Sequence, residues 1–146
     1  AFTKGLACPV GAVLAGSRDF IAEAWLLKRR WGGAMRQTGV LTGMCLYALD
    51  HHLARLAEDH ALAQGIGVRL AELPAIARVM PVETNIVIAD LADAAPDARA
   101  TARHLAARNV TVTVVGARRL RMVTHLDVGP DDADALITAM ADLPLT

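Results

Sequence analysis

Two blocks of this chain have residue types that could carry chemistry. The first is Thr3-Lys4-Gly5-Leu6, followed by Cys8-Pro9-Val10-Gly11. A lysine amine forms an imine with an aldehyde and gives it up again to a competing amine, and its pKa falls when it is partly buried beside cationic groups. The adjacent glycine lets the backbone turn sharply. The second block is Arg121-Met122-Val123-Thr124-His125-Leu126-Asp127-Val128. On a strand, Arg121 and Val123 share one face while Met122 and Thr124 take the other. A guanidinium among apolar neighbours is costly unless it meets an anion. A carboxylate fits its fork in bidentate geometry. That carboxylate is either a small molecule's or belongs to Asp127 or Glu83 in a structural ion pair; Arg118 and Arg119 read as solvated.

The remaining candidates read more plainly. His51, His52 and His60 fall in a helical stretch with no glutamate at the His-Glu-x-x-His spacing, so no zinc site is expected. His104 reads as a solvated helix residue, and His125 as a structural residue holding a strand end. Cys8 and Cys45 read as packed thiols, too few for a disulfide framework or a metal site.

The elements that must position these residues follow from pattern. Val10 to Ala15, an apolar run between glycines, predicts a strand. Ser17 caps a helix whose stripe is Phe20, Ala24, Leu27 and Trp31, and Gly32-Gly33 ends it. A long helical stretch from about Val40 to Leu73 carries Leu46, Leu49, Leu53 and Leu56 on one face, with a break near Asp50 or at Gly65 and Gly67, and Pro74 closes it. Asn85 to Ala89 predicts a strand, Pro96 to Arg108 a helix, and Val110 to Val114 a strand paired across Gly116-Ala117 with Arg119 to Thr124. Gly129-Pro130-Asp131-Asp132 opens a last helix. Read this way, the second half is a small α+β layer.

Composition excludes some partners. The 146 residues carry a formal net charge of +0, and the pI near 7.2 gives no electrostatic footing for nucleic acid or an anionic membrane. The chain is 54% hydrophobic but only 3% aromatic, with mean hydropathy +0.36. Such a chain has more apolar surface than its own fold covers, which fits a fragment or a subunit with large interfaces. No apolar run reaches a membrane span and the start lacks signal-peptide organisation, so the cytoplasm is expected. The absence of an initiator methionine leads us to expect that the natural N-terminus lies upstream or was removed.

Taken together, the two blocks resemble those of the threonine aldolases, a branch of the β-eliminating lyase family of PLP enzymes. The resemblance covers the whole chain but only the later part of a family member. It implies the end of a fold-type-I PLP-dependent large domain over 1–48, a connecting helix over 49–78 and a small α+β C-terminal domain over 79–146. It implies that Lys4 carries pyridoxal 5'-phosphate as a Schiff base, with Thr3 beside it, and that Arg121 binds the substrate carboxylate. Gly32-Gly33-Ala34-Met35-Arg36-Gln37 resembles a family stretch in which Arg36 approaches the cofactor phosphate or a subunit boundary; a helix-end charge is the alternative. The departures are Ala7, Cys8 and Ala12, where relatives often carry Gly, Ala and Ser. The implied reaction is cleavage of L-threonine or a related L-β-hydroxy-α-amino acid to glycine and an aldehyde. A β-eliminating lyase of the same fold and a non-catalytic α+β binding module are the alternatives. The resemblance further implies a homo-oligomer, a tetramer, and a missing N-terminal part holding the group that faces the pyridine nitrogen, the stacking ring and the phosphate loop. The isolated chain is therefore expected to associate and to be inactive.

Overall fold

Capping residues set the first helix, α1 (Arg18–Arg30). The Ser17 hydroxyl accepts from the Phe20 N–H at 3.3 Å. Asp19 occupies the first turn and Lys28, Arg29 and Arg30 the last, each opposite in sign to the local end of the helix dipole. Gly32, at φ 73°, stops it. The Gly33 N–H returns to the Lys28 carbonyl at 2.8 Å and the Gly32 N–H to that of Arg29 at 3.2 Å. These paired bonds form a Schellman motif, which needs a left-handed residue at that position.

The computed structural model describes residues 1–146. They separate into two units, Ala1–Arg55 and Leu56–Thr146. The first unit holds α1 and α2 (Gly39–His51) and no strand. The strand expected at Val10–Ala15 does not form: these residues are irregular, and Val13 and Leu14 are 75% and 61% exposed. A strand needs a neighbour to complete its ladder, and this unit supplies no second extended segment. With the α1 stripe of Phe20, Ala24, Leu27 and Trp31, Val13 and Leu14 line an open apolar groove of ≈ 770 Å³.

The stretch from Val40 to Leu73 is two helices. The break falls just after Asp50, where α2 ends at His51. The next helix, α3 (Leu56–Ala71), runs unbroken through Gly65 and Gly67. Gly67 has a packing reason to be glycine, because a Cβ there would come within 2.8 Å of the Val82 Cγ2.

The second unit is built on a four-stranded sheet of order β1-β2-β4-β3, with β1 (Ile76–Val79), β2 (Ile86–Leu91), β3 (Thr113–Gly116) and β4 (Arg119–Val123). All three pairings are antiparallel. The short strand β1 is not predicted by the sequence pattern, and β3 starts three residues later than the Val110 expected. The β3–β4 hairpin forms as the alternation predicts, but its turn is Ala117-Arg118, one residue beyond the Gly116-Ala117 expected, because Gly116 still pairs with Arg119. Helices α3, α4 (Ala98–Ala106) and α5 (Pro130–Ala141) supply the rest of the core. Val87, Ala89, Leu91, Leu120 and Met122 pack with Ile66, Leu70, Leu105, Leu136 and Met140. Asp97 caps α4, accepting from the Ala100 N–H at 2.7 Å. Asp132 caps α5 from inside its first turn, accepting from the Gly129 N–H at 2.8 Å. No helix is long and apolar enough to cross a membrane.

Candidate active site

The Lys4 residue sits on a turn fixed by its backbone. The Ala7 N–H donates to the Lys4 carbonyl at 2.8 Å, the Phe2 N–H to Gly11 at 2.9 Å, and the Cys8 N–H back to Phe2 at 3.0 Å. His52, at the end of α2, adds a bond of 2.9 Å to the Leu6 carbonyl. A carbonyl only accepts, so Nδ1 of His52 carries the proton in that bond. His52, for which the sequence offers no metal-ligand spacing, holds the turn two residues beyond Lys4. Ala7 lies at φ 56°, in the left-handed region. That costs a non-glycine residue roughly 1 kcal/mol. The side chain of Lys4 is exposed and has no hydrogen bond or ion pair.

Thr3 is exposed on the same turn. Arg36 is exposed in the connection between α1 and α2, beyond the last turn of α1 and before Thr38, the N-cap of α2. It is therefore not a helix-end charge of the favourable kind, since a cation near a helix N-terminus opposes the dipole.

Arg121 lies mid-strand in β4, opposite Ile88 on β2 and Thr113 on β3. The strand alternates as expected. Leu120 and Met122 face the core, and so does Thr124 beyond the strand end; Arg121 and Val123 are half-buried on the other face. No structural ion pair forms there. Asp127 instead approaches His125 at 3.6 Å, and Glu83 is exposed without an ion pair.

The neighbouring arginines correct the sequence reading. Arg119 is not merely solvated: it binds Asp90 in a fork, at 2.6 and 2.9 Å. This bond, more than any other influence, holds the Asp90 carboxyl below its ordinary range and raises the Arg119 guanidinium. Arg118 donates to the carbonyls of Leu91, Ala92 and Ala95. Of the three arginines at 118, 119 and 121, only Arg121 is left without a partner.

Two histidines also differ from expectation. His104 is not free in solvent; its Nε2 bonds the Ala139 carbonyl at 3.1 Å and ties α4 to α5. His125 lies past the end of β4, half-exposed, with Nδ1 accepting from the Asp127 N–H at 3.3 Å. The strand end is held by Thr124, which is 2% exposed. Its hydroxyl donates to the Asp59 carbonyl at 2.6 Å, and its backbone exchanges bonds with Asn85.

The fold places the chain in a class. A Listeria monocytogenes protein assigned as an L-allo-threonine aldolase superposes with TM-score 0.70 at 19% identity, over 96% of this chain and 42% of that one. A C-DES structure with glycine covalently linked to its PLP cofactor superposes with TM-score 0.52 at 18% identity, over 72% and 28%. The fold is that of the fold-type-I PLP-dependent enzymes. The chain belongs to the beta-eliminating lyase family, whose sequence profile matches residues 1–94. The low specificity L-threonine aldolase of Escherichia coli K12 is 40% identical over 126 residues, covering 86% of this chain and 36% of the relative. The chain thus spans little more than a third of that relative's length.

Proposed function

We propose that this chain is the cofactor-lysine and carboxylate-binding portion of a PLP-dependent aldolase that cleaves L-threonine and related β-hydroxy-α-amino acids to glycine and an aldehyde. In this reading residues 1–48 close the large domain, 49–78 connect, and 79–146 form the small domain. The donor set fits the cofactor: Lys4 offers an exposed, unpaired amine on a turn held by three backbone hydrogen bonds and by His52. Lys4 would hold the cofactor through that amine. Thr3 stands beside it, and Arg36 offers its guanidinium to the phosphate. When bound, PLP supplies the electron sink for the carbanion left by Cα–Cβ cleavage. Arg121 receives the substrate carboxylate in its fork and fixes the orientation of the scissile bond. The intact enzyme acts in the cytoplasm as a homo-oligomer, a tetramer.

One observation carries the reading: Arg121 is half-buried and unpaired, while Arg118 and Arg119 are each consumed by protein acceptors. The chain contains two lysines, Lys4 and Lys28, which makes the first test simple. Lys28 stands over the Trp25 ring at 4.8 Å, at the end of α1. Incubation with PLP and reduction with borohydride is expected to label Lys4, and Lys4→Ala to abolish that label. Equal labelling of Lys28, or labelling unchanged in Lys4→Ala, would remove the assignment.

A further inference from the structure

We propose that Cys8 and Cys45 form a reversible intramolecular disulfide that fastens the Lys4 turn to α2. The two residues are distant in sequence, yet each thiol is seated on backbone next to the other. The Cys8 thiol donates to the Met44 carbonyl at 3.7 Å, one residue before Cys45. The Cys45 thiol donates to the Val10 carbonyl at 3.8 Å, two residues after Cys8. Gly11 keeps the approach open, since a Cβ there would stand 3.1 Å from the Cys45 sulfur. Both thiols are free. Burial, and then the Cys45 side chain, push the Cys8 thiol above its ordinary range, as expected for a buried thiol with a second sulfur beside it.

Unequal exposure orders the chemistry. Cys45 is half-buried on α2, whereas Cys8 is 7% exposed. Cys45 therefore meets a small oxidant first. With glutathione disulfide, the Cys45 thiolate attacks one sulfur, forms a mixed disulfide and releases one glutathione thiolate. The Cys8 thiolate then attacks the Cys45 sulfur and expels the second glutathione. Two protein thiols are oxidised, one glutathione disulfide is reduced to two glutathiones, and the two protons pass to the released thiolates. Because burial raises the Cys8 thiol above its ordinary range, its thiolate fraction, and with it the closing step, grows as pH rises. The cross-link lands four residues from Lys4, within the loop closed by the Phe2–Gly11 bond. Its bearing on cofactor attachment rests on the role proposed for Lys4; its formation does not.

The test treats the 146-residue chain with glutathione disulfide, digests it without reduction and maps the cysteines by mass. The expected product is a Cys8–Cys45 linked peptide within one chain, with a loss of about 2 Da, no retained glutathione, and reversal by dithiothreitol. Cys8→Ser is expected to trap glutathione on Cys45, and Cys45→Ser to give no linked peptide. Glutathione persisting on Cys45 in the unaltered chain, cross-links only between chains, or untouched thiols would each overturn the proposal. Hydrogen exchange at the Ala7 and Cys8 amides, both hydrogen-bonded within the turn, is expected to slow about tenfold on oxidation. Unchanged exchange would refute the fastening even with the bond formed. Borohydride labelling of Lys4 by PLP, run separately, reports on the cofactor reading alone.

Discussion

Arg119 and Arg121 sit two residues apart on one face of β4 and meet opposite fates, and register decides which. Across from Arg119 stands Asp90; across from Arg121 stands Ile88. Directly opposed residues are near enough to pair, so the first guanidinium is neutralised within the sheet and the second has no carboxylate across from it. In the intact enzyme, Arg121→Ala is expected to raise KM for threonine and lower kcat/KM by about 2–5 kcal/mol of lost charged hydrogen bonding, with PLP still attached. Ile88→Asp would place a carboxylate across from Arg121 and should raise KM in the same way without touching the arginine. Steady-state kinetics on both variants check this, and an unchanged KM in each would exclude substrate binding at Arg121. Thr124 offers a separate check, of stability. Thr124→Val leaves the Asp59 carbonyl without this donor and should cost about 1–3 kcal/mol in urea unfolding. Lys4 and Arg121 stand out as candidates in the sequence because their blocks are contiguous, and the roles proposed for them await the tests above. His52 and Thr124 do not stand out, because their partners lie 46 and 65 residues away. No local pattern encodes such pairs.

Elements were legible where their own residues end them. Ser17 and Gly32-Gly33 each mark a boundary through local bonds that the residue type implies; α4 starts at Ala98, two residues after the Pro96 expected, because the Asp97 side chain caps it from outside. Val10–Ala15 misled because an apolar run announces burial but not a pairing partner. Strand β1 escaped notice because its four residues, Ile76–Val79, do not alternate in burial. The pairing of β2 with β4 makes a further prediction, on pH. The Arg119 bond depresses the Asp90 carboxyl from its ordinary 3.8. A carboxyl with a lowered folded-state pKa adds stability that is complete above the unfolded value and is lost as pH falls through the folded one. Urea midpoints measured downward from about pH 5 should therefore fall less steeply in Asp90→Asn than in the unaltered chain. Parallel acid limbs would show that the fork contributes nothing to the sheet.

The hydrophobic core is confined to one unit of the molecule. Its buried cluster runs from Ala63 to Leu143, whereas the first unit buries only Cys8 and Ala48 among its apolar residues. Residues 56–146 are accordingly expected to fold alone with a cooperative thermal transition, and residues 1–55 to show none. Circular dichroism on the two pieces decides this, and a non-cooperative melt of 56–146 would contradict it. The first unit leaves Trp25, Leu26, Trp31, Leu46 and Tyr47 exposed, so the chain is expected to self-associate. The sheet limits how. Its outer strands, β1 and β3, are four residues each, and both carry a register shift, between Ile76 and Arg78 and between Val114 and Gly116; the inner pair runs unbroken. Short, bulged edges make poor templates for a visiting strand. When copies of this chain gather, they should therefore do so as amorphous, side-chain-driven clusters that redissolve on dilution, and not as fibrils seeded from the sheet.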